Sequence, residues 1–138
     1  MASLITTADT SVVVPALADW HPEHKRSLDL VRNVRQLPGH VLIETVSVLT
    51  RIQCGVATPA ADVVLALAQD FPDEPLVLSP AEYRRLLTTF AATGITGGQV
   101  YDALVGMSAA AAGARLLTAD RRALPTYAAV GATAELVF

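Results

Sequence analysis

Cysteine, lysine and charged residues in general are scarce in this chain of 138 residues. Cys54 is the only cysteine, so no disulfide can form within the chain, which suits a reducing compartment. Lys25 is the only lysine and the formal net charge is −3, which does not fit a protein that binds nucleic acid through a broad cationic face. Any contact with a polyanion must therefore be local and arginine-based, or mediated by metal ions.

Long apolar runs are also missing, although apolar residues make up 52% of the chain and charged residues only 17%. No uninterrupted apolar segment is long enough to span a bilayer. Residues 1–8 carry no Lys or Arg and their apolar run ends at Asp9, so no secretion signal is expected. The length fits one compact domain over residues 1–138. We therefore expect a soluble, cytoplasmic, single-domain protein with a well-filled core and no membrane attachment.

Short apolar segments alternate with helical patterns along the chain, which predicts an α/β fold with a parallel sheet covered on both faces. The predicted strands are residues 3–8, 40–43, 76–78, 115–118 and 133–137. The predicted helices follow Asp9 to Leu17 and then cover about 23–35, 44–53, 59–69, 80–92 and 99–113. In such sheets, sites form at the carboxyl ends of the strands.

Four acidic residues fall at those strand ends or at helix starts. The tripeptide Thr-Ala-Asp occurs twice, ending in Asp9 after the first predicted strand and in Asp120 after the fourth. Glu44 follows the second predicted strand, and Asp102 stands in the first turns of the apolar helix that leads into the fourth. If the first and fourth strands are neighbours, these carboxylates share one edge of the sheet.

Taken singly, three of these acids have ordinary structural explanations. Asp9 could cap a helix, Asp120 could belong to a turn, and Glu44 could favour the positive end of a helix dipole. Asp102 is harder to explain, because no cation lies one helical turn away and a buried carboxylate needs a partner. The combination of all four favours a site.

A cluster of four carboxylates requires a counter-charge. Two carboxylates about 5.5 Å apart at an effective dielectric constant of 20 repel by roughly 3 kcal/mol. Either some of them protonate, with raised pKa values, or cations bind. Ligands that are all oxygen favour Mg²⁺ or Mn²⁺, which activate water and stabilise charge on a phosphate during in-line displacement.

These motifs resemble those of the PIN-domain family, most closely the VapC-type toxins of bacterial toxin–antitoxin pairs. The matching pieces, in chain order, are Asp9-Thr10-Ser11, Ile43-Glu44, Tyr101-Asp102-Ala103 and Leu117-Thr118-Ala119-Asp120-Arg121-Arg122. The resemblance spans nearly the whole chain. It implies a three-layer α/β/α sandwich around a five-stranded parallel sheet of order 3-2-1-4-5. It also implies a metal-dependent endoribonuclease, a homodimer, and inhibition by a cognate VapB-like antitoxin.

The resemblance also implies roles for individual residues. Asp9 and Asp102 would be the principal ligands of Mg²⁺ or Mn²⁺, with Glu44 and Asp120 completing the catalytic site and Thr118 orienting a carboxylate or a bound water. The predicted substrate contacts are Ser11, Arg121 and Arg122. Some PIN proteins carry a further acid shortly after the fourth one, where this chain has the two arginines, so the number of metal ions stays open.

Three other functions compete with RNA cleavage. A phosphoacceptor signalling domain also gathers Asp residues around Mg²⁺, but that class usually needs a lysine at a late strand end, and Lys25 lies in an early helix. A PIN-like domain that only binds partners would show decay of the acids, and none is visible. DNA cleavage stays open, because metal ions act on the phosphodiester and do not require a 2′-hydroxyl.

Overall fold

A computed structural model describes residues 5–51 and 55–138 of the chain. Its strands are β1 (Thr6–Ala8), β2 (Arg115–Thr118) and β3 (Thr133–Leu136). Its helices are α1 (Thr10–Leu17), α2 (His24–Leu30), α3 (Gly39–Thr50), α4 (Ala60–Asp70), α5 (Pro80–Thr93), α6 (Gln99–Ala111) and α7 (Leu124–Ala129), and a 3₁₀ turn covers Arg121–Ala123. The predicted α/β class is confirmed.

The three described strands form one parallel sheet in the order β1-β2-β3. Ala8 pairs with Leu117, and Thr118 pairs with Leu136, so the three carboxyl ends lie along one edge. The inner positions of β2 are fully buried, as expected for a strand packed on both faces. The sheet therefore places the residues that follow β1 and β2 side by side.

The prediction of five strands is wrong for the described residues, which hold three. Residues 40–43 lie in α3 instead of a strand, because Pro38-Gly39 begins that helix and does not merely break the chain. Val41, Thr45 and Leu49 form its buried stripe at helical spacing, which a four-residue apolar run could not distinguish from a strand. The predicted three-layer sandwich stays a prediction.

The chain is nevertheless extended just before α3, where it meets the third predicted strand. Pro38 and Leu76 form a single parallel bridge, with hydrogen bonds of 2.9 Å from Gly39 N to the Leu76 carbonyl and from Leu76 N to the Leu37 carbonyl. Thr7 of β1 donates a hydrogen bond of 2.8 Å from its hydroxyl to the Gln36 carbonyl. Residues 76–78 thus contribute a bridge and not a strand, and the extended segment lies a few residues earlier than predicted.

Most of the predicted helices are confirmed with shifted ends. Ser79 and Glu82 form the capping box that begins α5, and Gly94 ends it in the left-handed conformation, with φ of +72°. Helix α2 is shorter than the predicted 23–35, and α7 was not predicted at all. Parts of two predictions, residues 3–4 of the first strand and residues 52–53 of the third helix, lie outside the described residues.

Helix α6 connects the core with the candidate site. Ala103, Val105 and Ala109 of this helix are buried, and α6 packs against α3, α5 and α7. The main core joins α1, the inner positions of β2 and Tyr127 of α7. A rigid, apolar support of this kind fixes the positions of the polar side chains at the ends of the elements that it holds.

In the parts of the chain that the structure describes, no helix has the length and apolar character needed to cross a membrane.

Candidate active site

A small hollow of about 70 Å³ opens at the carboxyl ends of β1 and β2, and four acidic side chains line it. Asp9 comes from the end of β1, Glu44 from α3, Asp102 from the first turn of α6 and Asp120 from the residues after β2. The structure thus brings together the four acids that the sequence singled out, from segments that are far apart in the chain. Their catalytic and metal-binding roles stay predictions.

Asp9 is the most constrained of the four acids. Only 5% of its surface is exposed, and it caps α1 by accepting a hydrogen bond of 3.0 Å from Ser11 N to Oδ1. The Ser11 hydroxyl also donates to Oδ1, and the Tyr127 hydroxyl donates to Oδ2 at 2.6 Å. Burial raises the pKa of Asp9, and the hydrogen bonds from Ser11 and Tyr127 act in the opposite direction. Both carboxylate oxygens are therefore held in a fixed orientation.

The Ser11 hydroxyl also ties the ends of β1 and β2 together. Its oxygen accepts a hydrogen bond of 2.8 Å from Ala119 N while its proton is directed to Asp9. The Thr118 hydroxyl lies 3.4 Å from it and accepts from Asp120 N at 3.1 Å. These contacts order the backbone that carries Asp120. Ser11 lines the hollow, and its predicted contact with substrate stays a prediction.

The pKa of Asp102 is affected by the charges of all three other acids. Its pKa is raised to about 6, first by burial and then by the negative charges of Asp120, Asp9 and Glu44. The side chain is half-buried, since it lies in the first turn of α6 at the rim of the core. The raised pKa of Asp102 thus has two sources, its burial and the negative charge of its three acidic neighbours.

Glu44 shares its side of the hollow with two residues that the sequence analysis did not select. His40 lies one helical turn earlier in α3, with Nε2 at 3.7 Å from Glu44 Oε2. The ring of Tyr101 stacks on His40, with centroids 5.0 Å apart and planes 4° from parallel. The sequence feature that could have indicated His40 is its spacing of four residues from Glu44, one turn of a helix. Tyr101 belongs to the motif Tyr101-Asp102-Ala103, but no role was predicted for it.

Arginine is placed beside the hollow and not in it. Asp120 Oδ1 accepts hydrogen bonds from Arg122 N at 3.0 Å and from Arg122 Nε at 3.5 Å. Arg121 and Arg122 are both exposed, and neither lines the hollow. Of the described residues that line the hollow, none is lysine or arginine. The predicted phosphate contacts of the two arginines stay a prediction.

Tyr127 is a further site residue that the sequence analysis missed. It belongs to α7, a helix that the sequence did not predict, is 1% exposed and lines the hollow. Burial and the neighbouring Asp9 carboxylate raise its pKa, so its hydroxyl stays protonated and donates. The available signal was a tyrosine in an apolar segment, since a buried tyrosine hydroxyl needs a partner.

The donor set fits a hard divalent cation. Every acid in the hollow offers carboxylate oxygen, the ligand type that Mg²⁺ prefers, and the charges of the other acids add to burial in raising the pKa of Asp102. Asp9 Oδ1 accepts two hydrogen bonds from Ser11, whereas Oδ2 accepts one from Tyr127 and has lone-pair capacity left for a cation. Within residues 5–51 and 55–138, no three His, Cys, Asp or Glu side chains already converge on one point. Mg²⁺ usually keeps several of its waters and is bound through one or two carboxylates, so it does not need such a cluster.

Comparison with known proteins identifies relatives over most of the chain. The sequence model of the PIN domain matches residues 7–129. The chain is 40% identical over 129 residues to Ribonuclease VapC40 of Mycobacterium tuberculosis (strain CDC 1551 / Oshkosh), an alignment that covers 94% of this chain and 96% of the relative. It is also 40% identical over 124 residues to Ribonuclease VapC27 of Mycobacterium tuberculosis (strain ATCC 25618 / H37Rv), covering 89% of this chain and 90% of the relative.

Proposed function

This chain belongs to the PIN-domain family, and from that membership we propose that it is a VapC-type endoribonuclease, the toxin of a toxin–antitoxin pair. The observation that carries the proposal is the single hollow lined by Asp9, Glu44, Asp102 and Asp120. Relatives that share 40% of their residues with this chain over nearly its full length are named ribonucleases. The proposed substrate is therefore RNA, and the bond broken is a phosphodiester.

The proposed chemistry is hydrolysis by in-line displacement at phosphorus. Asp9 and Asp102 would be the principal ligands of Mg²⁺ or Mn²⁺, with Glu44 and Asp120 completing the set. Such an ion supplies positive charge that activates water and stabilises the developing charge on the phosphate. The hydrogen bonds from Tyr127 and Ser11 hold the Asp9 carboxylate in one orientation, which preorganises the site.

Charge balance explains how so acidic a hollow could accept a polyanion. The four carboxylates repel a phosphate group unless cations neutralise them, which makes substrate binding and metal binding interdependent. Arg121 and Arg122 are exposed and follow Asp120 directly, which supports the proposal that they contact phosphates at the edge of the hollow. We propose that this short arginine pair replaces the broad cationic surface that the chain lacks.

Family membership also supports two protein partners. We propose that a VapB-like antitoxin inhibits the nuclease and that the chain forms a homodimer. Exposed apolar side chains on two helices support the need for partners, since Ile43 on α3 is 71% exposed and Val64 and Leu65 on α4 are exposed as well.

The test is a cleavage assay on single-stranded RNA, with a DNA oligonucleotide of the same sequence as a second substrate. We expect cleavage of RNA with Mg²⁺ or Mn²⁺, no cleavage after chelation by EDTA, and a loss of at least about a hundred-fold in Asp9→Asn and Asp102→Asn. Asp62→Asn, an exposed acid in the first turn of α4, is the matched control and should cleave normally. Wild-type cleavage that survives chelation would contradict the metal mechanism, and cleavage of DNA alone would contradict the substrate.

A further inference from the structure

We propose that the stacked pair His40–Tyr101 is a platform on which one nucleobase of the RNA stacks, next to the phosphate that is cleaved. The inference rests on the proposed ribonuclease function and adds the means by which the site holds its substrate. Neither residue is an acid or a predicted metal ligand. The platform is therefore a positioning and binding device, and the acids remain responsible for the chemistry.

The positions of the two rings in the chain place them beside the chemistry. Tyr101 immediately precedes Asp102 in α6, and His40 lies one turn before Glu44 in α3. Both rings line the same hollow as the acids. Since the ring centroids are 5.0 Å apart and the planes differ by 4°, the two rings are stacked in parallel, and the stack connects α3 with α6.

The exposure of Tyr101 supplies the open face of this platform. Tyr101 is 55% exposed. Tyr127, in the same hollow, is 1% exposed, and its hydroxyl donates a hydrogen bond to Asp9. His40 covers one face of the Tyr101 ring, so the exposed area belongs to the other face and the edges. An aromatic ring backed by a second ring and open to solvent presents the surface on which unpaired bases stack.

The position of His40 also depends on the stack. Among the described residues its buried Nε2 has no hydrogen-bond partner, and the Glu44 carboxylate at 3.7 Å is beyond hydrogen-bond distance. The stack on Tyr101 is thus one of the contacts that orient the imidazole ring, together with the nearby Glu44 carboxylate. The helix packing of α3 on α6 keeps the two rings in register.

The charge of the hollow explains why base stacking is needed. Its lining among the described residues contains no lysine or arginine, and the whole chain has a formal net charge of −3. Attraction to phosphates therefore contributes less than in a basic nuclease. Stacking on an aromatic ring adds affinity that is independent of charge and that tolerates any base, since every base has a π face.

A protein–RNA double-substitution cycle tests the platform. Cleavage kinetics are measured for wild type, Tyr101→Leu and Tyr101→Phe on a short RNA with one defined cleavage position. Tyr101→Leu keeps an apolar side chain of similar size without a ring, and we expect it to raise KM on the order of ten-fold with little change in kcat. Tyr101→Phe should retain the wild-type KM. Tyr83→Leu, on a tyrosine that is 49% exposed and lies outside the acidic hollow, is the matched control.

The same kinetics are then measured on RNAs in which single nucleotides flanking the cleavage position are made abasic in turn. For the wild-type enzyme, we expect an abasic nucleotide at one of these positions to raise KM on the order of ten-fold. For Tyr101→Leu, an abasic nucleotide at the same position should not raise KM further, because the stacking contact is already lost. The platform is overturned if Tyr101→Leu has the same KM as wild type. It is also overturned if the abasic nucleotide still raises KM in Tyr101→Leu. Either result leaves the nuclease function intact. If wild type neither binds nor cleaves RNA, the function and the platform fall together.

Discussion

The Tyr127 hydroxyl donates a hydrogen bond of 2.6 Å to Asp9 Oδ2, and this contact joins two residues that are 118 positions apart in the chain. Both side chains are buried. The bond connects α7, which follows β2, to the first acid of the site, which follows β1. The orientation of Asp9 thus depends on a helix that carries no acidic residue of its own.

Removing that hydroxyl should weaken both the fold and the site. We expect Tyr127→Phe to lower the free energy of unfolding by about 1–3 kcal/mol, because a buried carboxylate loses a hydrogen-bond donor. The pKa of Asp9 should rise further, so more Mg²⁺ should be needed for half-maximal cleavage. Urea denaturation in EDTA and a Mg²⁺ titration of activity measure the two effects. Tyr83→Phe is the control, and equal behaviour of the two variants would show that the Tyr127–Asp9 contact contributes nothing.

Gly106 in α6 gives Tyr127 the room that it occupies. A Cβ at Gly106 would lie 2.8 Å from Tyr127 Cδ1 and 2.8 Å from Val130 Cγ2, closer than real Cβ contacts allow. We expect Gly106→Ala to destabilise the protein by about 1–3 kcal/mol through overpacking, and to lower activity by displacing Tyr127 from Asp9. Gly98→Ala is the matched control, because a Cβ there meets nothing within 4 Å. The melting temperatures and cleavage rates of both variants test this prediction. A Gly106→Ala variant with wild-type stability and activity would contradict the close contact between Gly106 and Tyr127.

Ser11 has an observed structural contact and a predicted substrate contact, and substitution can separate the two. If its hydroxyl ties β1 to β2 through Ala119 N, Ser11→Ala should lower the free energy of unfolding by about 1–2 kcal/mol without any RNA present. If Ser11 served only as a substrate contact, the stability of the free protein would not change. Urea denaturation of Ser11→Ala measures this directly, with Ser47→Ala, at an exposed position of α3, as a control for loss of a serine hydroxyl elsewhere.

The acidic cluster should make the metal-free protein less stable as the pH rises. The pKa of Asp102 is about 6 in the folded protein against 3.8 for the ordinary group, so the folded state binds the proton more tightly than the unfolded state. By linkage, the stabilising effect of this proton is fully present below about pH 4 and is lost as the pH rises to about 6. We expect a loss of ~1–2 kcal/mol, less than the shift alone gives, because the side chain is half-exposed to screening solvent.

Urea denaturation in EDTA between about pH 4 and 7 measures this loss, with Asp102→Asn as the comparison. The variant should be more stable than wild type at pH 7, and the difference should disappear toward pH 4. Mg²⁺ added at pH 7 should stabilise wild type more than the variant. A stability difference that does not depend on pH would contradict the assignment to Asp102.

The sequence predicted the candidate site better than it predicted the sheet. The two Thr-Ala-Asp tripeptides end neighbouring parallel strands, and this local pattern was sufficient to place Asp9 beside Asp120. Glu44 lines the hollow although residues 40–43 before it form the start of α3 and not a strand. A strand and a helix at this position both bring residue 44 to the same edge of the sheet. The class of fold and the grouping of the acids thus tolerated an error in local structure.

Other features depend on long-range contacts that no short pattern encodes. Residues 40–43 satisfy both strand and helix periodicity, and the bridge from Pro38 to Leu76 settles where the extended chain ends. Tyr127 and His40 are ordinary residues in sequence, and their positions in the hollow follow from the packing of α7 and α3 on α6. The same packing decides which tyrosine is exposed and which is buried.

The contact between Tyr127 and Asp9 also has a consequence for biosynthesis. A nascent polypeptide that has emerged from the ribosome only through β2 already carries three of the four acids, yet it lacks Asp120 and the donor that orients the first carboxylate. The full set of contacts around the Asp9 carboxylate forms only after α7 has been translated and has docked. The acidic hollow is therefore completed late in synthesis, because its lining comes from segments near both ends of the chain.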